Sequence, residues 1–269
     1  MKLRMHKSEV DLLIDKTKKL KISSDNYESN NQKFENYPMS IFIVGLPRCG
    51  STLVESIISL NTKVKDLGEV NIFEESYREY KQSEKQKSLS EIYWKKLKIT
   101  DNKTITTNKW LFNYQYAGII AKAIPNAKII HCYRNPLDNI LSTYRAHFAT
   151  GNNFSSSLVD SAKVYSDQDE IMRTYKKEFK NHIYSLNYDK LVTHPSDEIK
   201  SLIHWLGWSW NDLYLSPHLN KRKVSTRSNV QVRSPINTKS LGGWKNYKEM
   251  LKPAMEIITK KEKYKDLKY

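Results

Sequence analysis

Apolar residues are spread unevenly along the chain. Residues 1 to about 38 are polar and rich in Lys, Asn and Ser. Only Val10, Leu12, Leu13 and Leu20 recur there at a weak helical spacing, which predicts a helix near Glu9–Leu20 and a loop or linker over Ser23–Tyr37. The pattern changes abruptly at Ser40. Ser40–Gly45 is a continuous apolar run, as expected of a strand buried on both faces. Ala127–Tyr133 is a second such run, and Val64–Gly68, Thr104–Asn108 and His182–Asn187 are shorter strand candidates. Between them, apolar positions fall at helical spacing over Ser51–Leu60, Asn71–Lys81, Ser88–Leu97, Tyr114–Ile124, Ser156–Lys180 and Ser196–Leu206. A further helix opens at Pro136, a residue suited to the first helical position, with Asn135 placed to cap it. Leu215–Lys239 reads as a basic loop, and the chain from Asn246 as mostly helical. Strands alternating with helices predict an α/β fold, a central parallel sheet flanked by helices. The division expected is an N-terminal helix and linker, 1–38, followed by one domain, 39–269.

Composition narrows the function classes. The chain has 269 residues, of which 39% are hydrophobic, enough for one large α/β core. Its formal net charge of +16 calls for an anionic partner: nucleic acid, an acidic membrane or a phosphorylated small molecule. Charge alone does not choose among them, and a general Lys bias would produce the same surplus. The two cysteines, Cys49 and Cys132, form no CxxC and no disulfide framework, which suggests a reducing compartment. The N-terminus lacks the apolar stretch of a signal peptide, and no run of about 18 apolar residues occurs. The expectation is a cytoplasmic protein without a membrane span.

The chemistry is concentrated in Gly45-Leu-Pro-Arg-Cys-Gly-Ser-Thr52, between the first strand and a helix. Glycines let backbone approach a ligand, and the helix N-terminus offers N–H donors and a positive dipole end, so the loop suits a phosphate. A nucleoside-triphosphate loop carries Lys after the second glycine. Here that position is Ser51, and Arg48 supplies the cation from within the loop. No acidic pair is clearly placed for a metal. A sulfated or monophosphorylated nucleotide fits better than Mg-ATP.

The run Phe42–Glu55 resembles the 5′-phosphosulfate loop of sulfotransferases that use 3′-phosphoadenosine 5′-phosphosulfate (PAPS), in the bacterial branch related to tyrosylprotein sulfotransferases. Cys49 and Ser51 stand where that family usually has Ser and Thr. The resemblance implies a P-loop-type three-layer fold, with Pro47, Arg48, Cys49, Gly50, Ser51 and Thr52 on the 5′ side of the nucleotide. It implies that Arg134 and Ser142, eight residues apart, grip the 3′-phosphate, and that Tyr188 lies near the nucleotide. The block Ser225–Lys245 is similar to the family's loop over the cofactor, which makes Arg227, Ser228, Arg233, Lys239 and Lys245 its polar candidates. Trp244 reads as core rather than as an adenine platform. By the same resemblance Glu69 is the general base, Lys109 assists the leaving oxygen, and Arg48 and Ser228 complete the charge clamp, with no metal. His131 and His147 are alternative bases, the former inside a buried strand.

The function this implies is in-line transfer of a sulfuryl group from PAPS to a hydroxyl on a small molecule, glycan or peptide, giving 3′,5′-adenosine diphosphate. A homodimer is compatible with it. A nucleotide kinase is the first rival, disfavoured by the missing Lys. A nucleic-acid binder is the second; it lacks a basic-aromatic recognition motif. A chain that binds the nucleotide without turning it over is the third.

Overall fold

The computed structural model describes residues 8–28, 37–83, 87–99, 103–146, 148, 152–220 and 233–267. The two long apolar runs are the sheet's centre. β1 (Met39–Gly45) lies between β3 (Ile105–Asn108) and β4 (Ala127–Tyr133), with β2 (Val64–Asp66) outside β3 and β5 (Ile183–Asn187) outside β4. The order is β2-β3-β1-β4-β5 and every pairing is parallel. Side chains alternate across a strand, and β1 feeds two cores accordingly. Phe42 and Val44 join one apolar cluster, Ile41 and Ile43 the other, all fully buried. Each such side chain contributes on the order of 1.5–3 kcal/mol on leaving water.

Helices cover both faces, so three layers result. The Phe42 side is covered by α1 (Glu9–Asp25), α3 (Ile72–Gln82), α4 (Leu89–Leu97), α5 (Ala117–Ala123), α6 (Pro136–Tyr144), α7 (Leu158–Glu178) and the helix Lys248–Ile258, here α10. The Ile41 side is covered by α2 (Ser51–Ile58), α8 (Tyr188–Thr193) and α9 (Pro195–Trp205). Among the described residues no helix is long and apolar enough to cross a membrane.

Three elements differ from the sequence reading. α1 continues past Leu20 to Asp25, into the stretch expected to be a loop. Ser24 is buried against Gly118, where an added Cβ would come within 2.1 Å of the Ser24 hydroxyl. Lys122 Nζ then donates to the carbonyls of Ser24 (2.7 Å) and Tyr27 (3.2 Å), satisfying the open end of the helix. Thr17 and Gln115 bond at 2.9 Å, and Val10 and Leu20 enter the core, so α1 is packed on the domain. The expected helix Tyr114–Ile124 is divided into a 3₁₀ turn, Leu111–Tyr116, and α5. Asn108 Oδ1 accepts from Trp110 N and Asn113 Nδ2, which tightens the entry to that turn. Finally, α8 was not foreseen. Asn187 caps it by accepting from the N–H groups of Asp189 and Lys190.

Candidate active site

The loop after β1 lies at the carboxyl end of the sheet, beside the point where the chain crosses from β3 over β1 to β4, the place where open α/β sheets bind ligands. Gly45 begins it with φ 153°; a Cβ there would sit 2.4 Å from the Cys132 carbonyl oxygen. Arg48 is in the left-handed region at φ 69°, costly for a residue with a Cβ, and Gly50 follows at φ 96°. Gly50 gives α2 no side-chain cap. A helix starting this way presents N–H donors and the positive end of its dipole. Cys49 is buried beneath the loop with Cys132, and burial followed by the Cys49 thiol pushes the Cys132 thiol well up.

α6 fixes the loop from the other side. The Pro47 carbonyl accepts from Asn139 Nδ2 (3.1 Å) and Thr143 Oγ1 (3.2 Å), so Pro47 faces α6. Arg48 Nε donates to Ser142 Oγ at 3.1 Å. The predicted cap is present, Asn135 Oδ1 accepting from the N–H groups of Leu137 and Asp138. Arg134 leaves β4 with its guanidinium 4.9 Å from the centre of the Tyr188 ring and donates to the Ser240 carbonyl at 2.5 Å. That ring in turn lies on Gly50, where an added Cβ would come within 2.2 Å of it.

These residues bound one cavity of about 750 Å³. Arg48, Gly50, Thr52, Arg134, Ser142, Tyr188 and Lys239, all singled out in the sequence, line it. Leu53, Leu141, Val192 and Ile236 add apolar wall, and Arg145 adds a cation. The one carboxylate among the described lining residues, Asp138, accepts from Gly242 N (2.8 Å) and Trp244 N (3.0 Å) and lies 3.8 Å from Arg134 Nη2. It therefore ties the segment 240–244 to α6 along the cavity wall, while the cations that line the cavity keep it suited to an anion.

A second cluster lies beside the loop. The Lys109 N–H donates to the Gly68 carbonyl at 2.9 Å, and Asn108 Nδ2 donates to Val70 O, which draws the turn after β2 onto the end of β3. Lys109 Nζ thereby reaches Glu69 Oε1 at 2.5 Å and Glu55 Oε2 of α2 at 3.8 Å. Glu69 and Lys109 are thus paired with each other; neither lines the cavity.

Other sequence candidates are placed elsewhere. Ser51 is buried in the first turn of α2. Arg233 is exposed and donates to the Asn220 carbonyl at 2.6 Å, and Lys245 is exposed near Gly242. Trp244 is core. His131 is buried at 2.7 Å from Gln168 Nε2, and burial pushes its pKa down to about 4. It has the environment of a core histidine. Arg227, Ser228 and His147 lie outside the described residues. Glu55, Asp138 and Arg145 were missed. Asp138 carried a sequence signal in its position four residues after Arg134, and Glu55 in closing the run Phe42–Glu55.

Known proteins extend the picture. The model of the sulfotransferase family matches residues 75–212, about half of the chain. An uncharacterised protein of Aquifex aeolicus is 30% identical over 242 residues, 81% of this chain and 32% of that protein. Protein-tyrosine sulfotransferase 1 of Danio rerio is 25% identical over 234 residues, 76% of this chain and 65% of that protein. The chain thus spans about a third of the first relative and just under two thirds of the second. Among solved structures, the sulfotransferase domain of the Synechococcus PCC 7002 olefin synthase superimposes with a TM-score of 0.60 at 12% identity, covering 81% of this chain and 90% of that one. Mouse sulfotransferase SULT7A1, complexed with PAP, gives 0.57 at 17%, covering 91% and 90%. At such identities these likenesses establish the fold, a central parallel sheet flanked by helices.

Proposed function

Since the chain belongs to the sulfotransferase family, we propose that it moves the sulfuryl group of PAPS to a hydroxyl acceptor and releases 3′,5′-adenosine diphosphate. The observation that carries this reading is that Arg48, Arg134 and Lys239 line one cavity with Gly50 and Thr52 at the N-terminus of α2, the Tyr188 ring packing against both Gly50 and Arg134. A nucleotide with phosphates at both ends of its ribose is the ligand such a cavity suits, and its volume falls in the range of nucleotide-sized pockets. The PAP named in the mouse structure, and the retinol and PAP named in that of retinol dehydratase, lend support.

PAPS supplies the activated sulfuryl group. The N–H groups of Gly50, Ser51 and Thr52 hold its 5′ side, with Arg48 against the sulfuryl oxygens. Arg134, Ser142 and Lys239 take the 3′-phosphate, for which a guanidinium fork is suited. Arg227, Ser228, Arg233 and Lys245 are assigned to polar contacts with the nucleotide. Glu69 takes the proton from the acceptor hydroxyl, a step that contributes about 10²–10⁴-fold in general-base catalysis. Lys109 donates to the oxygen that leaves with the nucleotide. Because Glu69 and Lys109 start in contact, Glu69 must turn from Lys109 to the acceptor. The acceptor is a small molecule, glycan or peptide hydroxyl.

Titration with 3′,5′-adenosine diphosphate and with 5′-AMP tests the nucleotide assignment. The bisphosphate is expected to bind about 100-fold more tightly, the effect of two charge-assisted hydrogen bonds. Arg134→Ala should erase most of that preference, and no binding of the bisphosphate would sink the reading. For the chemistry, transfer of labelled sulfate from PAPS should vanish in Glu69→Ala while nucleotide affinity stays within about threefold, since the loss is confined to the transition state. Lost binding in that variant would make Glu69 structural.

A further inference from the structure

Lys109 stands between two carboxylates of opposite character. Glu69, at 2.5 Å, is half in solvent with 48% exposure. Glu55, at 3.8 Å, is 1% exposed, as is Lys109 itself. Glu55 is one turn beyond Thr52 on α2, the helix that begins at the phosphate loop. A carboxylate at such a buried position is costly unless a cation accompanies it, and Lys109 is that cation.

The transfer reaction makes the arrangement consequential, so the role inferred for Glu55 rests on the proposed function. When Glu69 accepts the proton, the acceptor O–H bond breaks and an O–S bond forms. The S–O bond to the nucleotide breaks, and its electron pair stays on the phosphate oxygen that Lys109 contacts. Glu69 has then left Lys109 and become neutral. The ammonium would stand in a buried site without its nearest anion, where an uncompensated charge costs most. Glu55 takes no part in the proton transfer and stays beside Lys109 on α2. Its 3.8 Å separation is too long for a hydrogen bond, and an approach of about 1 Å would make one. We propose that Glu55 is the positioning residue for Lys109, holding the ammonium aimed at the leaving oxygen while Glu69 serves the acceptor. Its place on α2 would also join Lys109 rigidly to the loop that holds the transferring group.

The test is a double-mutant cycle on the full chain. Turnover of PAPS is measured with 2-naphthol and with an acidic tyrosine-bearing peptide as acceptors, alongside titration with 3′,5′-adenosine diphosphate. Glu55→Gln and Lys109→Ala should each lower kcat by about 100-fold with nucleotide Kd within about threefold. The double variant should be no slower than Lys109→Ala alone, the signature of two residues acting through one. Glu55→Asp, which keeps the charge, should recover about tenfold of the loss. Wild-type kcat in Glu55→Gln, or losses that multiply in the double variant, would overturn the assignment and leave the proposed function standing. Kd rising in step with the loss of kcat would overturn it too, in favour of a structural role. If Glu55→Gln does not fold, Glu55→Asp decides: reduced kcat at unchanged Kd supports the assignment, and unchanged kcat overturns it. A wild type that neither binds the nucleotide nor consumes PAPS would overturn the proposed function, and this inference with it.

Discussion

At the scale of single residues, the contact between Gly50 and Tyr188 is the tightest constraint in the site. A methyl group at position 50 would have to enter the Tyr188 ring and also accept φ 96°. Gly50→Ala is therefore expected to cost about 1–3 kcal/mol by thermal or urea unfolding, the scale of forced backbone and overpacking strain. It should also weaken nucleotide binding by about tenfold or more, about 1.4 kcal/mol. Wild-type stability and affinity in that variant would refute the reading. This residue was legible beforehand, since a glycine at the end of a strand-to-helix loop has a backbone reason to be glycine. Arg48, Arg134 and Ser142 were legible for a related reason: each belongs to a local pattern. Arg145 belongs to none, and Glu55, although it closes the run Phe42–Glu55, reveals no partner there. Glu55 acquires a role only when β3 brings Lys109 alongside α2, and Arg145 only when the fold closes a cavity over the end of α6.

Among the elements, α6 organises the site. Its first turn carries Asp138, which accepts from two N–H groups of the segment 240–244, and its inner face holds the Pro47 carbonyl. Asp138→Ala removes both acceptors. Hydrogen exchange at Gly242 and Trp244 should rise, and nucleotide release should quicken, because the segment along the cavity wall is no longer tied down. Unchanged protection at those two amides would argue against the tie. The loss of stability should reach about 1.5–3 kcal/mol, the range for hydrogen bonds to a charged acceptor. α6 was readable because Asn135 and Pro136 mark its start chemically. α8 was not, since six residues carry little periodicity and its cap, Asn187, lies in what reads as the end of a strand. The division of Tyr114–Ile124 was likewise hidden, because the Asn108 side chain that shapes the turn precedes the segment it shapes.

Over the whole molecule, a buried and a half-buried titratable group on facing elements give stability opposite dependences on pH. Burial holds His131 on β4 near a pKa of about 4, below its ordinary 6.5. Its contribution is complete above pH 6.5 and is lost as pH falls through that window toward 4, by about 3 kcal/mol. Burial holds Asp167 on α7 up at about 6, above its ordinary 3.8. The folded chain then keeps a proton that the unfolded chain releases, so this contribution is present at low pH and is lost as pH rises through 6. Urea unfolding of the wild type should therefore change little between pH 4.5 and pH 6, values spanned by the two shifts. Asp167→Asn should be more stable than wild type at pH 7.5 and lose stability more steeply on acidification; lower stability at pH 7.5 would reject the account. The layered fold was legible from strand and helix alternation, whereas these shifts depend on which face of each element the fold buries. The docking of α1 adds a consequence in time. Thr17 bonds to Gln115, 98 residues later, and Lys21 to Glu178, 157 residues later. During synthesis at about 5–20 residues per second, Thr17 waits about 5–20 s for Gln115, and Lys21 longer for α7. Until then α1 lacks the contacts that fix it to the domain, and Val10 and Leu20 lack most of the core they enter.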